Sequence, residues 1–322
     1  MTSPMVSHAR QLAASGQVAQ AVARLEQASS QGDVDALFCL ATWHLAGHGV
    51  ARDLERARGL LRRAVEIGHV DAALMEIALT ANGSGGPVDW TEALARLKIA
   101  AQGDPVAQQQ LALINRMALA PDGAPVAVPA GEALAGGWDV RLFRQFLTGD
   151  ECHHVISEGQ ALLEPAMVID PRSGRPMPHP VRTSDGGIFG PAREDLVIQA
   201  INRRIAAASG TMLSGGEPLT LLRYAVGQQY RQHHDCLPHV RNQRAWTMLI
   251  YLNEGYAGGE TIFPRLGLSV RGRKGDALLF RNTDAQGQAA EAAVHLGAPV
   301  MAGQKWLCTR WIRHDRHDPW NP

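Results

Sequence analysis

The segment YRQHHDC, residues 230–236, places two histidines beside an aspartate, and both residue types bind transition metals. If the segment is a strand, His233 and Asp235 share one face and His234 points to the other. An imidazole nitrogen and a carboxylate oxygen on one face can bind one metal ion, with a third ligand from elsewhere in the chain. A histidine, a carboxylate and a distant second histidine form the facial triad of non-haem Fe(II) oxygenases.

A His-X-Asp pair alone is weak evidence, because the chain contains a second one. His69-Val70-Asp71 has the same spacing. It lies at the predicted start of a helix, where residues i and i+2 do not share a face. We therefore interpret the pair at 69–71 as structural and look for further support around residues 233–235.

The C-terminal part of the chain supplies two further residues that such a site needs. His295 is a candidate third ligand, and Lys305, ten residues later, opens a predicted strand. Alternation predicts one face that points into a pocket and carries Lys305, Leu307, Thr309 and Trp311. A buried lysine is costly unless it meets an anion. The distal carboxylate of 2-oxoglutarate, a metal-chelating 2-oxo acid, fits that description.

The first third of the chain is an internal repeat with a period of 36 residues. The period relates Ala21, Ala57 and Ala93; Leu25, Leu61 and Leu97; and Ala28, Ala64 and Ala100. Apolar residues fall at helical spacing within each unit, and glycines fall between the helices, where a turn needs positive φ. The pattern predicts a helix–turn–helix solenoid, in which neighbouring units bury their apolar faces against each other.

The segment AGHGVARDLERARGLLRRAVEIGHVDA resembles Sel-one-like repeats, which are related to tetratricopeptide repeats. About two and a half units are visible, over roughly 16–116. The resemblance implies a surface that binds or scaffolds proteins. The alternative is a passive helical cap that stabilises the domain after it.

Composition divides the chain into three parts. Residues 1–117 form the helical repeat domain, 118–137 a linker rich in Pro, Gly and Ala, and 138–322 a second domain. In the second domain, predicted helices at 148–163 and 194–210 accompany short β-type runs separated by glycine-containing turns. These runs are 219–226, 245–253, 276–281, 298–303 and 305–312. We therefore expect an α+β multidomain protein, with an α-solenoid followed by a jelly roll with supporting helices.

The second domain resembles the prolyl 4-hydroxylase branch of the 2-oxoglutarate/Fe(II) dioxygenases across nearly all of 138–322. The matching segments are FLTGDEC, RTSDGGIF, LRYAVGQQYRQHHD, TMLIYLNEGYAGGETIFP, KGDALLF and HLGAPVMAGQKWLCTRWI. The resemblance implies a double-stranded β-helix fold. It also implies a dioxygenase that uses Fe(II), 2-oxoglutarate and O2, with ascorbate as reductant.

The resemblance further implies roles for particular residues. The implied iron ligands are His233, Asp235 and His295. Lys305 would bind the distal carboxylate of 2-oxoglutarate, and Tyr224 and Thr261 would line the same pocket. These assignments add to the metal and cosubstrate chemistry that the residue types suggest on their own.

Three residues, Tyr230, Arg244 and Trp311, match positions that contact the peptidyl proline in this family. Two aromatic rings can clasp a proline ring, and an arginine can reach a backbone carbonyl. The chain departs from the family in two places. The connection CLPHVRNQ before Arg244 is short, and the stretch DAQGQAAEAAV before His295 is rich in alanine.

The resulting hypothesis is a hydroxylase for a prolyl residue in a peptide or protein substrate, which the helical repeats help to dock. The same chemistry on another residue, a free amino acid or a small molecule is an alternative, as is a non-catalytic metal-binding adaptor. A formal net charge of zero without long like-charged runs favours neither nucleic-acid nor membrane partners. Four scattered cysteines and an N-terminus that lacks a signal-peptide pattern predict a cytoplasmic protein.

Overall fold

The computed structural model describes residues 3–134, 137–169 and 175–321. Residues 135 and 136 of the predicted linker lie outside the described residues. The chain divides into two compact units. The first comprises Met1–Gly123 and Pro191–Gln199, and the second Ala124–Gly190 and Ala200–Pro322. The boundaries drawn from composition, after residues 117 and 137, stay a prediction.

The first unit is built from antiparallel helix pairs, as the 36-residue period predicts. The helices are α1 Pro4–Ala14, α2 Val18–Ser30, α3 Val34–Ala46, α4 Leu54–Glu66, α5 Val70–Asn82, α6 Trp90–Ala100 and α7 Pro105–Ile114. Each repeat-related alanine and leucine named above is buried except Ala100, which is half-buried. Small side chains at these positions let paired helices approach closely. The residues that repeat every 36 positions are therefore the ones that pack between the helices.

Local side chains begin and end these helices. Asp53 and Asp89, which the period relates, occupy the N-cap positions of α4 and α6, and each accepts a hydrogen bond from a first-turn backbone N–H. His69 does the same for α5, where its Nδ1 accepts from the Ala72 N–H at 3.1 Å. Asp71 is exposed in the first turn of that helix. The structural interpretation of the His-X-Asp pair at 69–71 is confirmed.

The second unit consists of antiparallel sheets supported by helices. Its strands are β1 Gly131–Ala133, β2 Val140–Phe143, β3 Glu164–Pro165, β4 Met167–Ile169, β5 Pro176–Pro178, β6 Asp185–Ile188, β7 Thr220–Tyr224, β8 Tyr230–His233, β9 Arg244–Tyr251, β10 Ala257–Gly258, β11 Thr261–Phe263, β12 Leu268–Val270, β13 Ala277–Arg281, β14 His295–Gly297, β15 Val300–Ala302 and β16 Lys305–Arg313. The five predicted β-type runs agree with β7, β9, β13, β15 and β16 to within two residues. Strand β1 lies inside the predicted linker and pairs with β2.

Two of the sheets share one core. The larger sheet has the order β1-β2-β13-β9-β16-β7-β6-β3 and the smaller one β12-β11-β14-β8. Buried side chains of both sheets belong to a single apolar cluster, in which the Phe263 ring of β11 meets the Phe280 ring of β13 at 5.0 Å. This arrangement confirms the predicted jelly roll.

Two helices support the sheets, α8 Gly149–Gly159 and α9 Leu196–Ser209, close to the predicted ranges. Thr148 and Glu151 form a capping box at the start of α8. Arg204 of α9 forms an ion pair with the Glu151 carboxylate at 2.7 Å and so ties the two helices together. No helix in the described part of the chain combines the length and apolar character that a membrane span needs.

Candidate active site

Two histidines and an aspartate converge between the ends of β8 and β14. His233 ends β8, His295 begins β14, and the two residues are paired across the smaller sheet. The Nε2 atoms of His233 and His295 lie 3.6 and 3.8 Å from the Oδ1 and Oδ2 atoms of Asp235. One ligand atom from each of the three residues lies within 4.8 Å of the others, so they could hold one metal ion.

The local geometry differs from the expected strand. Strand β8 ends at His233, and Asp235 lies in a bend beyond it. The sequence predicts that His233 and Asp235 share one face because they alternate along a single strand. The two side chains do meet, but strand alternation is not the reason, so that part of the prediction is wrong. Hydrogen bonds of the carboxylate, rather than the strand ladder, must orient Asp235.

Backbone carbonyls fix which nitrogen of each imidazole faces the cluster. The Nδ1 of His233 lies 2.7 Å from the Arg231 carbonyl, and the Nδ1 of His295 lies 2.9 Å from the Ala293 carbonyl. Since a carbonyl only accepts, each Nδ1 carries the proton and each Nε2 keeps a free lone pair. The Nε2 of His233 is buried with no hydrogen-bond partner in the described residues. A metal ion would satisfy it.

Electrostatics keep Asp235 and His295 in the protonation states that metal binding requires. Burial raises the pKa of Asp235, but His295, His233 and the Thr247 hydroxyl outweigh burial and hold that pKa well below its ordinary value. Burial lowers the pKa of His295 to about 4, against the opposing charge of Asp235. At neutral pH the site thus offers an ionised carboxylate and a neutral imidazole.

Lys305 lies in the same cavity as these three residues, and only 3% of its surface is exposed. Its Nζ donates to the Gly259 carbonyl at 2.7 Å and lies 5.6 and 5.5 Å from the ring centroids of Tyr224 and Tyr251. No carboxylate of the described residues comes within salt-bridge distance of Nζ. Burial lowers the pKa of Lys305 to about 8, although Glu260 raises it. A buried ammonium without a counterion is a site for an anion.

The predicted alternation along β16 is confirmed, because Lys305, Leu307, Thr309 and Trp311 all line the cavity. The remaining lining residues are Leu222, Tyr224, Tyr230, His233, Asp235, Leu249, Thr261, His295 and Gly297. The cavity is thus walled by both sheets, with the three candidate metal ligands on one side and apolar side chains between the polar groups. Such a lining suits a small, partly charged ligand.

The structure places Tyr224, Thr261 and Tyr230 in the cavity wall, and their roles stay a prediction. Burial raises the pKa of Tyr224 to about 12. The Thr261 hydroxyl lies 3.0 Å from the Tyr251 hydroxyl. The ring of Tyr230 stacks on the imidazole of His233 at 3.5 Å, so this tyrosine also restrains a candidate ligand.

Arg244 is held beside the cavity by an acidic partner and does not line it. Its Nε and Nη2 each donate to the Glu217 carboxylate at 2.7 Å, and its guanidinium carbon lies 4.0 Å from the centre of the Trp311 ring. Burial raises the pKa of Glu217, but Arg244 and Arg313 together lower it. This bidentate pair fixes the guanidinium above the indole of Trp311.

Sequence reasoning missed the partners that orient these residues, among them Glu217, Gly259 and Thr247. A Cβ at Gly259 would lie 3.1 Å from the Lys305 side chain, and the φ of +70° also favours glycine. The sequence does contain one indication of the role of Thr247, because it is a polar residue within the apolar run AWTMLIYLN. A polar residue buried in a strand needs a partner, and that partner is Asp235.

Comparison with known proteins agrees with this geometry. Residues 219–313 match the model of the 2OG-Fe(II) oxygenase superfamily. Prolyl 4-hydroxylase 1 from Arabidopsis thaliana is 34% identical over 197 residues, which cover 55% of this chain and 70% of that protein. Prolyl 4-hydroxylase 5 from the same plant is 34% identical over 201 residues, which cover 54% and 69%.

Two solved structures are each similar to part of the chain. The viral collagen prolyl hydroxylase vCPH from Paramecium Bursaria Chlorella virus-1, in its 2OG complex, shares 27% identity over 55% of this chain and 97% of that one, with a TM-score of 0.45. A Sel1 repeat protein from Oxalobacter formigenes shares 28% identity over 34% of this chain and 47% of that one, with a TM-score of 0.30.

The fold and the site together define a 2-oxoglutarate- and Fe(II)-dependent dioxygenase. Within that class, the chain belongs to the prolyl 4-hydroxylase family. The enzyme class expected from the sequence is thereby confirmed, as is the use of Fe(II), 2-oxoglutarate and O2.

Proposed function

We propose that the protein hydroxylates a prolyl residue in a peptide or protein substrate. The observation that carries the proposal is one cavity that holds both the candidate metal triad and the buried Lys305 ammonium group, which has no counterion among the described residues. The relatives named prolyl 4-hydroxylase support the choice of substrate. The aromatic rings of Tyr230 and Trp311 at the cavity wall support it too, because they suit an apolar ring such as proline.

The metal site would consist of the Nε2 atoms of His233 and His295 and one oxygen of Asp235. Bound Fe(II) and 2-oxoglutarate would supply the oxidising power that inserts an oxygen atom of O2 into a C–H bond, with succinate and CO2 as coproducts. The protein binds and orients the reactants. Burial of the triad excludes water from the metal-facing atoms, and the carbonyls at Nδ1 keep both imidazoles in the binding tautomer.

The cosubstrate site would be the Lys305 end of the cavity. The ammonium group of Lys305 would bind the distal carboxylate, and Tyr224 of β7 and Thr261 of β11 would contact it from the two sheets. Lys305 is well positioned for this role because the Gly259 carbonyl and two tyrosine rings hold its side chain without neutralising its charge. An arriving anion would regain the electrostatic stabilisation that burial costs the lysine.

The prolyl ring would lie between Tyr230 and Trp311. Arg244 uses Nε and Nη2 for Glu217, which leaves its Nη1 with one long contact to the Asp235 carbonyl at 3.4 Å. Nη1 is therefore the atom that would donate to a substrate carbonyl. The stacked Arg244 would also keep the indole of Trp311 in one orientation.

An anaerobic titration with Fe(II) and 2-oxoglutarate, followed by turnover with proline-containing peptides, tests the proposal. We expect a visible metal-to-ligand charge-transfer band, and then peptides that gain one oxygen atom while succinate forms. Absence of the band in the wild-type protein would eliminate the enzyme and leave a binding adaptor. A normal band with turnover of free amino acids or metabolites, and none of peptides, would replace the prolyl substrate with a small molecule.

We propose that the helical repeats bind protein substrates. Two isoleucines of the first unit, Ile67 and Ile99, are 55% and 67% exposed, which leaves apolar area for a partner. Replacing both with serine should lower kcat/KM for a protein substrate by about 30-fold or more, because truncation at a binding hot spot costs about 2 kcal/mol or more. Turnover of a short peptide should be unchanged. The matched control is Val226→Ser in the second unit, where the valine is similarly exposed.

The protein substrate for this comparison can be captured with an inactive His295→Ala variant and identified by mass spectrometry. Equal losses of kcat/KM on the captured protein and on its excised peptide would argue that the isoleucines stabilise the fold. In that case the repeats would be a passive helical cap.

A reducing environment suits this enzyme, and we propose ascorbate as its reductant and the cytoplasm as its location. All four cysteines are free thiols, and three of them are buried. Ferrous iron and free thiols are both stable under reducing conditions. Turnover with and without ascorbate would test the first proposal, and fractionation of cells would test the second.

The affinity for 2-oxoglutarate should fall as the pH rises through about 8, because burial lowers the pKa of Lys305 to about 8. The protonated lysine binds the anion, so affinity is full below that pH and declines above it. Far above the pKa, the KM for 2-oxoglutarate should rise about tenfold per pH unit. A bound anion raises the lysine pKa in the complex, so the rise in KM starts near the pKa of the free protein and levels off above the pKa of the complex. A KM that is constant between pH 7 and 10 would contradict the role of Lys305.

A further inference from the structure

Two buried polar residues lie behind the Asp235 carboxylate, and the side-chain hydrogen bonds found for them in the described part of the chain lead to Asp235 and not to His233 or His295. Thr247 lies in the middle of β9 with 0% of its surface exposed, and its hydroxyl is 2.6 Å from Oδ2 of Asp235. Asn282 follows the end of β13 and is 1% exposed. Its Nδ2 lies 2.8 Å from the Thr247 hydroxyl oxygen. The three side chains form one chain of hydrogen bonds.

The direction of these hydrogen bonds follows from the donors available. An ionised carboxylate can only accept, so the Thr247 hydroxyl donates its single hydrogen to Asp235. The hydroxyl oxygen then accepts from the Asn282 amide. Asn282 itself is fixed through its backbone, whose N–H donates to the Ala245 carbonyl and whose carbonyl accepts from the Ala290 N–H. The larger sheet therefore anchors all three hydrogen-bonded side chains.

Asp235 needs such an anchor because no strand ladder holds it. Strand β8 ends at His233, so strand pairing does not orient the Asp235 carboxylate. The hydroxyl of Thr247 engages Oδ2, and Oδ1 faces the Nε2 of His233 at 3.6 Å. With Oδ2 engaged, Oδ1 is the oxygen with more lone-pair capacity left for a metal ion.

We propose that Thr247 and Asn282 are positioning residues that aim Oδ1 of Asp235 at the metal ion. This inference rests on the proposed metal site. Asn282 acts through Thr247 by directing the hydroxyl hydrogen towards Asp235. Without Asn282, the hydroxyl can rotate, and without Thr247, the carboxylate loses the contact that sets its orientation.

The test measures Fe(II) affinity under anaerobic conditions, from the charge-transfer band at saturating 2-oxoglutarate. Thr247→Val keeps the shape of the side chain and removes the hydroxyl, and it should weaken Fe(II) binding about 10–100-fold, as loss of an outer-shell partner does. Thr247→Ser keeps the hydroxyl and should bind nearly as the wild type does. Thr220→Val is the matched control, since Thr220 is a buried strand threonine of the same sheet outside the cavity.

A double-mutant comparison isolates the role of Asn282. Asn282→Leu alone should weaken Fe(II) binding, but in the Thr247→Val background it should have no further effect. Full additivity of the two changes, or wild-type affinity in Thr247→Val, would overturn the inference. Thermal unfolding of the metal-free variants shows whether each one folds. A wild-type protein that binds no Fe(II) would instead refute the proposed function.

Discussion

Changing Asp235 to asparagine is expected to remove measurable activity and most of the Fe(II) affinity. Asp235 is the single anionic member of the triad, and asparagine keeps its shape while it removes the charge. Structural Zn²⁺ in zinc-finger peptides binds with about 10–16 kcal/mol over about four ligands, which is about 2.5–4 kcal/mol per ligand. The expected loss of affinity is therefore about 100- to 1,000-fold. Anaerobic Fe(II) titration and succinate release measure the two effects.

The chain contains a matched control for this variant in its other His-X-Asp pair. Asp71→Asn changes the same residue type at the same spacing from a histidine, but Asp71 is exposed in the first turn of α5. It should leave Fe(II) affinity and turnover unchanged. The metal site would have to be placed elsewhere if Asp235→Asn bound Fe(II) normally, or if Asp71→Asn lost binding to the same extent.

Much of the fold could be predicted because its signals are local. The alanine and leucine period gives the helix pairs, and aspartate caps such as Asp53 begin the helices where the sequence suggests. Long apolar runs give β9 and β16. The strands β11, β12 and β14 have three residues each, which is too short for alternation to be visible. Strand β1 lies in a stretch rich in Pro, Gly and Ala, and pairing with β2 defines it.

The candidate site was predictable where it depends on residue type and spacing along one strand, as for Lys305 and Trp311. It was not predictable where it depends on the register between distant strands. Thr247 meets Asp235 across 12 residues, and Asn282 meets Thr247 across 35. The pairing of β9 with β13 sets the contact between Thr247 and Asn282, and no local pattern encodes that register.

Arg244 shows the same limit in another form. The resemblance gives it a substrate-facing role, yet its carboxylate partner Glu217 precedes it by 27 residues and lies outside any strand. A sequence pattern shows that an arginine is charged, but it does not show which carboxylate the arginine pairs with. The structure adds that two of its nitrogens are already engaged.

Changing Lys305 to methionine is expected to raise the KM for 2-oxoglutarate with little change in kcat at saturation. Methionine has a similar length and fills the same space without a charge. An uncompensated buried charge typically costs about 3–5 kcal/mol, and here the uncompensated charge would be the distal carboxylate of the cosubstrate. The KM should therefore rise by about 100-fold or more. Steady-state kinetics with varied 2-oxoglutarate measure the change, and Lys274→Met, at an exposed lysine outside the cavity, is the matched control.

The free energy of unfolding separates this role from a structural one. The Lys305 ammonium is buried against one carbonyl and two tyrosine rings, with no counterion among the described residues, so its desolvation opposes folding of the ligand-free protein. Lys305→Met removes that cost and should leave the ligand-free protein at least as stable as the wild type in urea. A variant with a raised KM and undiminished stability identifies a lysine kept for its ligand. A variant that loses stability and keeps its KM identifies a lysine kept for the fold.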